Sequence, residues 1–499
     1  MENNQSPNET LRFEEIDRAQ NVLLPVDIES LIGEDHAARN IWKFTGRLRL
    51  DAFVEDVKAV EGRAGREAIH PRLLISVWIY AITRGLHSAR EISRQMNYEP
   101  GLQWLTGLRT INHHTLSDFR SRNEQALRQL FEQVIALLHM NHLVTLERVT
   151  QDGTKIRANV NKKTFSREEK IRAHLKLARE QMEYLERQAS EEQSTRKQKA
   201  ARIRAARERA ERLEEALEEI QRLQREKKNQ RDKPVQASTT DADAQFMRTT
   251  DHGLAPCLNL QLAVDGAHGF IIDVDVVKQP SDSAQLLPAV ERLKTKFGSY
   301  PQKILADGDY TNHEAVLGLA ARDIDFYGSW TGRTENGARG RDGRSRDEKY
   351  DARHFRYDKR RNQLVCPEGK RLSYRTTQHP NAGTDLYVFQ ADKEDCRRCA
   401  AREACCPNAQ VTRHGRSASI AVHAPAIERF DCKMQTETAK TIYRKRSQLA
   451  EFPNLWLKEK LKFRRLSGRG RVRALAEALL QAMTFNMQRL LRIRPALVA

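Results

Sequence analysis

Two stretches of alternating polarity near the middle of the sequence constrain the fold most. An apolar residue occupies every second position from Leu258 to Val264, and the same alternation recurs from Phe270 to Val276. A period of two is typical of β-strands with one buried face. The Gly266–Gly269 segment between them provides turn residues. The pattern therefore predicts a β-hairpin with one buried and one polar face.

The sequence on either side of this hairpin extends it into a mixed sheet. Helical and strand patterns alternate downstream: a helix over 286–297, a buried strand over 304–306 that ends at Asp307, a helix over 312–321 and a strand over 325–327. Upstream, the Asp152–Gly153 pair predicts a strand that ends in a turn at Asp152. A hairpin followed by strand–helix–strand gives a mixed sheet flanked by helices. We therefore expect an α/β (α+β overall) chain with the element order of a ribonuclease-H-like fold.

The rest of the chain separates by composition. The predicted units are a helical domain over 1–145, a sheet domain assembled from 146–165, 231–330 and 437–499, a helical or coiled-coil insertion over 166–230, and a basic loop with a cysteine-rich insertion over 331–436. In the first unit, Pro71 opens a helical stripe, and short helices with sharp turns are typical of helix-turn-helix DNA readers. Arg120 and Arg122 are its candidate DNA contacts; the alternative is a helical core with ordinary surface arginines.

The charge of the chain points to a polyanionic partner. The formal net charge is +19 and the isoelectric point is about 9.7, which favours nucleic acid. The first ten residues are polar and unlike a signal peptide, and the longest apolar run is too short to span a bilayer. We therefore expect a cytoplasmic protein with double-stranded DNA as its partner and no membrane association.

Seven cysteines, an odd number, argue against a secreted disulfide framework. A cluster with one Cys-x2-Cys pair matches the ligand set of a structural zinc ion, with the candidate ligands Cys366, Cys396, Cys399 and Cys405. Cys406 competes with Cys405 for the fourth place. The alternative is a set of unligated thiols.

A helical stretch near the C-terminus places one acid among cations. Glu451 follows Arg444, Lys445 and Arg446 and precedes Lys458. A carboxylate in such surroundings stays ionised and can hold a divalent cation while the basic residues hold phosphates. The alternative is a solvated helix with ordinary ion pairs between successive turns.

The pattern Tyr443-x2-Arg446-x4-Glu451-x6-Lys458 resembles the Tyr-Arg-Glu-Lys signature of bacterial insertion-sequence transposases of the DDE type. The stretches HPRLLISVWIYAITRGLHSAREI and HHTLSDFRSRN resemble the N-terminal domain of the same family.

Two further motifs fit the resemblance. Asp152-Gly-Thr-Lys155 is similar to the first family motif, and Ala306-Asp307-x-x-Tyr310 is similar to the second, with Asp309 where the family usually has Gly. The cysteine-rich block resembles an insertion seen in this group of transposases.

The resemblance implies a function and a set of roles. Asp152, Asp307 and Glu451 would hold Mg²⁺ or Mn²⁺ for phosphodiester cleavage and strand transfer. Arg446 and Lys458 would grip DNA, supported by Tyr443. The protein would bind the terminal inverted repeats of its element and target DNA, as a homodimer or larger assembly on the bacterial nucleoid. The alternatives are a transposon-derived DNA-binding protein without cleavage activity and a nuclease that lacks strand transfer.

Overall fold

The computed structural model describes residues 25–55, 67–188, 196–226, 234–249, 253–330, 348–350, 354–406 and 414–497. The first part is helical, with α1 Ala37–Gly46, α2 Pro71–Thr83, α3 Ala89–Gln95, α4 Pro100–Thr106, α5 His113–Arg122 and α6 Glu124–Met140. The predicted helix at Pro71 is confirmed. Its first turn suits proline, which lacks an N–H, and the His70 side chain accepts a hydrogen bond from the Arg72 amide.

The main sheet has six strands: β1 Arg148–Arg157, β2 Gln245–Arg248, β3 Leu254–Asp265, β4 Ile271–Val277, β5 Lys303–Ala306 and β6 Asp325–Tyr327. Their order is β2-β3-β1-β5-β6, and β4 also pairs with β3. β1 is antiparallel to β3 and parallel to β5, and β5 is parallel to β6. Helix α9 (Leu286–Phe297) connects β4 to β5, and α10 (His313–Ala320) connects β5 to β6. The predicted mixed sheet and its element order are confirmed.

The predicted turn at Asp152 is wrong, because β1 continues through this residue to Arg157. Gly153 stays in the strand and pairs with Gln261 of β3. A Cβ atom at Gly153 would lie 2.7 Å from Gln261 Nε2, 2.8 Å from Asp282 Oδ1 and 2.9 Å from Tyr310 Oη. The glycine is therefore explained by close side-chain packing over the strand instead of by a turn.

The hairpin differs from its prediction in that both of its faces are buried. Asn259, Gln261 and Asp265, on the expected polar face, are 0%, 1% and 0% exposed. Their polar atoms are satisfied within the protein: Asn259 Nδ2 donates to Asp282 Oδ1 at 2.6 Å, and Gln261 Oε1 accepts from Gln151 Nε2 at 3.0 Å. Buried polar groups are stable when they are hydrogen-bonded in this way.

The region predicted to be a helical insertion contains two helices, α7 Glu168–Gln188 and α8 Arg196–Glu226. They pack together around a small core of their own that includes Ile171, Leu213 and Ile220. The two-residue strands Phe165–Ser166 and Ala237–Ser238 pair at the base of the insertion. This strand pair lies between the two insertion helices and the main-sheet strands β1 and β2.

A second, antiparallel sheet carries the cysteines. Its strands are β7 Arg356–Asp358, β8 Gln363–Val365, β9 Arg371–Asn381, β10 Thr384–Ala391 and β11 Ser417–His423, in the order β11-β10-β9-β8-β7. Short helices α11 Lys393–Arg397 and α12 Arg402–Cys405 follow β10. Most of the predicted basic loop, residues 331–347 and 351–353, lies outside the described residues.

The last helices tie the molecule together. They are α13 Pro425–Gln435, α14 Glu437–Leu455, a π-helical turn Trp456–Lys460 and α15 Arg471–Ile493. Buried residues of α15 join α2, α6 and the main sheet in one hydrophobic core. The N-terminal helices and the main sheet therefore share a core. None of the described helices combines the length and the apolarity needed to cross a membrane.

Candidate active site

Strand register brings two of the predicted acids together. The parallel pairing of β1 with β5 ends with Gln151 opposite Ala306. Asp152 is the next residue on β1, and Asp307 directly follows the last residue of β5; adjacent strands lie about 4.8 Å apart. Asp307 then leaves the strand to cap a short 3₁₀ turn, where its Oδ1 accepts from the Asp309 amide at 2.9 Å. Two carboxylates far apart in sequence therefore lie close together where β5 ends beside β1.

These carboxylates oppose each other's ionisation. Burial, followed by the negative charge of Asp307, raises the pKa of Asp152 to about 6. Burial also raises the pKa of Asp307, and the charge of Asp309 adds to this effect. Asp309, which replaces the usual family glycine, is not among the residues with positive φ, so the turn itself does not require glycine. The site has an excess of negative charge that a cation would relieve.

Asn454 was missed in the sequence analysis. Its Nδ2 donates to Asp152 Oδ2 at 2.7 Å and to the Ala450 carbonyl oxygen at 3.2 Å. Because both neighbours are acceptors, the amide nitrogen must face them. Asn454 Oδ1 is buried and accepts no hydrogen bond from the described residues. The signal for this residue was its spacing, since it lies one helical turn beyond Glu451.

Asp282 is a second residue that the sequence analysis missed. It is 8% exposed, and its carboxylate accepts from Lys155 Nζ, Asn259 Nδ2 and Gln261 Nε2 at 3.1 Å or less. Its charge also raises the pKa of Asp152. Asp282 therefore forms the centre of a buried polar cluster beneath β1. Polar residues at alternate positions of β3 were the available signal.

Glu451 is the third predicted carboxylate. It is exposed on α14, whereas Asn454 on the same helix reaches Asp152. The helix continues through Pro453 and then widens into the π-helical turn that contains Lys458. Lys458 is half-buried. Burial raises the pKa of the Cys257 thiol to about 11, and the positive charge of Lys458 opposes this rise. The roles assigned to Glu451 and Lys458 stay predictions.

Arg446 is a cation whose charge acts on both carboxylates. Its charge lowers the pKa of both Asp152 and Asp307, against the larger effect of burial. The guanidinium carbon lies 5.8 Å from the centre of the Tyr443 ring, and the Tyr443 hydroxyl lies 3.1 Å from Ser329 Oγ. Arg446 therefore lies near the carboxylate pair and Tyr443 lies near Arg446, and their roles in holding DNA stay predictions.

The two predicted arginine contacts on α5 have different environments. Arg120 is 7% exposed, pairs with buried Glu477 at 3.4 Å and lies over the Trp78 ring at 4.3 Å. The predicted direct DNA contact by Arg120 is wrong, because the Arg120 side chain is buried and paired with Glu477. Arg122 is exposed, with Asp118 at 3.2 Å, and its DNA contact stays a prediction.

The cysteines gather around one small cavity of about 30 Å³ on the second sheet, lined by Cys366, Cys396, Cys399, Cys405 and Cys406. Backbone amides of Lys370 and Arg416 donate to the sulfur atoms of Cys366 and Cys396, both at 3.2 Å. Burial raises the pKa of Cys396, and the neighbouring thiols add to the effect. A hydrogen bond with Cys405 raises the pKa of Cys406.

Across the described ranges, no group of three or more His, Cys, Asp and Glu side chains is arranged as a finished metal site. Both predicted cation sites therefore stay predictions. The residue types are nevertheless those that the predicted ions prefer. Two mutually repelling carboxylates and the unpaired Asn454 Oδ1 provide hard oxygen ligands for Mg²⁺ or Mn²⁺. The thiols, with amide donors to their sulfurs, suit zinc.

Two family models match parts of the chain. One, described as a transposase DDE domain, matches residues 365–491, and the other, described as a transposase domain of the DUF772 type, matches residues 26–122. The first range includes the cysteines and the Tyr443–Lys458 signature, whereas Asp152 and Asp307 lie outside both ranges. No curated protein matches the sequence.

Among solved structures, one similar chain is that of a piggyBac transposase synaptic complex with hairpin DNA. It shares 8% identity, with 93% of this chain and 74% of that chain covered, and the TM-score is 0.30. This likeness is too weak to support an argument about the site. The two family matches support an insertion-sequence transposase.

Proposed function

We propose that this protein binds the ends of its own insertion sequence, cleaves phosphodiester bonds there and joins the freed ends to target DNA. The observation that carries the proposal is the in-register meeting of Asp152 and Asp307 beside Arg446. The transposase matches at residues 26–122 and 365–491 support this class of reaction.

In this proposal each residue of the site has a role. Asp152 and Asp307 hold divalent cations, and Asn454 fixes the orientation of Asp152 through its 2.7 Å hydrogen bond. Glu451, which is exposed on the same helix as Asn454, would supply the third carboxylate. Arg446 and Lys458 hold the phosphate backbone of the bound end, and Tyr443 supports Arg446.

Bound Mg²⁺ or Mn²⁺ would activate the attacking oxygen and stabilise the leaving oxygen. In cleavage, a water oxygen bonds to phosphorus as the P–O3′ bond breaks, which leaves a 3′-hydroxyl. In joining, that 3′-hydroxyl bonds to a target phosphorus and a target P–O3′ bond breaks. Because two element ends must be joined, we expect two or more copies to act together.

Two other roles complete the proposal. The N-terminal helices up to residue 145 contribute sequence-specific contacts, with exposed Arg122 as one of them. The second sheet holds structural zinc through Cys366, Cys396, Cys399 and either Cys405 or Cys406, which line one cavity.

The test uses the full-length protein, Mg²⁺, linear DNA carrying the sequences that flank the gene, and a target plasmid. Cleavage at the element ends followed by joining to the plasmid is the expected result. Cleavage without joining, even when pre-cleaved ends are supplied, would identify a nuclease. Binding without any cleavage in Mg²⁺ or Mn²⁺ would identify a DNA-binding protein. Either of these last two outcomes overturns the proposal.

A further inference from the structure

A continuous basic segment follows the π-helical turn. It contains seven cations and no acid, and we call it the basic strip: Lys460, Lys462, Arg464, Arg465, Arg469, Arg471 and Arg473. All seven are exposed. Such a concentration of charge is unfavourable in isolation, so it needs a polyanionic partner or a local counter-charge.

The basic strip is folded against the protein. Three apolar residues between its cations are buried, with Leu461 and Phe463 1% exposed and Leu466 4% exposed, whereas Val472 at the far end is 55% exposed. The strip therefore presents its charges from a fixed backbone, which lowers the entropy that ordering on binding would cost. Because the apolar side chains of residues 460–466 are buried in the protein, this half of the strip lacks the apolar centre typical of a protein–protein interface.

Hydrogen bonds attach the strip to the strand that carries Asp152. The Arg157 amide donates to the Arg464 carbonyl at 3.2 Å, and the Leu466 amide donates to the Arg157 carbonyl at 2.8 Å. Asp152 lies five residues earlier on β1. At about 3.3 Å per residue, this separation is roughly 17 Å, or about five steps of a duplex that rises 3.4 Å per step.

The N-terminal helices support the strip from the other side. His87 Nε2 lies 2.7 Å from the Leu461 carbonyl oxygen, and Arg120 Nη2 donates to Ser467 Oγ at 2.6 Å. Arg120 thus contributes from inside the protein, because it fixes the segment that carries the exposed cations.

Lys462 occupies a backbone conformation that disfavours a lysine. Its φ is +60°, in the left-handed region that glycine and asparagine prefer. The side-chain stem packs near Gly85, where a Cβ atom would lie 3.0 Å from Lys462 Cγ. Non-glycine residues in this region are strained, and such strained residues cluster at functional sites.

The two ends of the strip face different surroundings. Arg469, Arg471 and Arg473 line a cleft of about 860 Å³ whose other lining residues include the acids of α8, namely Glu208, Glu211, Glu215 and Glu218. The Gly470 and Arg471 amides already donate to Asp241 and Asp243. The acidic surroundings of this end make it a poor site for a second polyanion.

We propose that the other end of the strip, Lys460, Lys462, Arg464 and Arg465, binds the phosphate backbone of duplex DNA about five base pairs from the cleaved bond. This inference rests on the proposed function and extends it to a surface that positions the duplex over the carboxylates. The contacts are to phosphate, so they hold the duplex in register without reading its sequence.

The experiment compares two triple variants of the full-length protein with equal loss of charge. One is Lys460→Gln/Lys462→Gln/Arg465→Gln, and the other is Arg469→Gln/Arg471→Gln/Arg473→Gln. Arg464 is kept because it pairs with Glu459. Affinity for a duplex of about 30 base pairs is measured from low to high salt without divalent ions. Each lost phosphate contact lowers the salt slope by about 0.9, so the first variant should lose about 2 to 3.

The second triple variant should change the salt slope by less than about 0.9, the value of one phosphate contact. Equal losses in both variants, or no loss in the first, would overturn the proposal. Competition by duplex RNA as strong as that by duplex DNA would overturn the assignment of the partner. A single Lys462→Gly variant guards against misfolding, because glycine suits the positive φ. It should fold like the wild type and lose about one contact.

The binding measurement needs no catalysis, so it is independent of the proposed function. If the salt slopes behave as expected but no strand is cut in Mg²⁺, the transposase proposal fails and the DNA surface stands. If cleavage proceeds while the first triple variant keeps the wild-type slope, the surface assignment fails alone.

Discussion

The two candidate cation sites of this protein are built in different ways. The carboxylate site, Asp152 and Asp307, joins residues from distant parts of the chain through the register of parallel strands in a buried sheet. The thiol site, Cys366 with Cys396, Cys399 and Cys405, comes from turns and short helices of one local region. One is positioned by the main hydrophobic core, and the other by short loops on a small second sheet.

This difference separates catalysis from folding. The strands beneath the carboxylate site belong to the main core, so they hold their register without an ion. The second sheet buries a smaller core that includes Leu364, Leu372 and Phe389. Small units of this kind gain much of their stability from a bound metal. Loss of the ion should therefore stop chemistry at the first site and loosen structure at the second.

The largest expected effect is on cleavage when a carboxylate is removed. Asp152→Asn or Asp307→Asn keeps the side-chain shape but removes a metal-binding charge. Cleavage of element-end DNA should fall by about a thousandfold or more, because the ions stabilise the charge that develops in the transition state. DNA binding should persist, since it uses the basic surface.

Asp323→Asn is the matched control for these variants. Asp323 is exposed with φ of +55°, a conformation that asparagine adopts readily. The Asp323→Asn variant should cleave element-end DNA at the wild-type rate. Near-normal cleavage by Asp152→Asn would mean that the carboxylate site does not carry the reaction.

The next effect concerns zinc removal at the thiol site. Purified protein should contain about one zinc ion per chain by the four-ligand rule, and Cys396→Ser should release it. Amide hydrogen exchange should then accelerate in residues 363–423, while β1 and β5 stay protected. Uniform protection with no zinc present would show that the second sheet folds without metal, and acceleration in both sheets would remove the contrast between the sites.

A smaller loss of activity is expected from Asn454→Ala. The variant removes the 2.7 Å hydrogen bond to Asp152, and loss of a group that orients a metal ligand typically costs 10- to 100-fold. The Mg²⁺ concentration for half-maximal cleavage should rise, which a purely structural role would not cause. Leu455→Ala, at the neighbouring exposed position, should leave this concentration unchanged.

The smallest effect is a pH dependence of the metal-free protein. Asp152 has a raised pKa of about 6 in the folded state against 3.8 ordinarily. The folded state then binds more protons between these values, so the free energy of unfolding falls as pH rises from about 4 to 6. The loss is at most about 3 kcal/mol. Chemical denaturation in a chelator should show this slope, and Asp152→Asn should reduce it.

Local patterns in the sequence predicted much of the fold. The alternation of residues 258–276 predicted the hairpin, and the apolar stripe after Pro71 predicted α2. Both signals depend on periods that neighbouring residues set by themselves. The burial of the polar face of β3 was not predictable in this way, because its partners, Gln151 and Asp282, lie elsewhere in the chain.

Some residues of the candidate site could likewise be predicted from the sequence, and others could not. The resemblance to the transposase family indicated Asp152 and Asp307, and the Cys-x2-Cys spacing indicated the cysteine cluster. The sequence could not reveal that Asn454 contacts Asp152, that Arg120 is buried against Glu477, or that Lys462 is held at positive φ. Which side chains are local partners follows from chain spacing, whereas burial and the meeting of distant side chains depend on how strands and helices pack. Only the tertiary structure determines that packing.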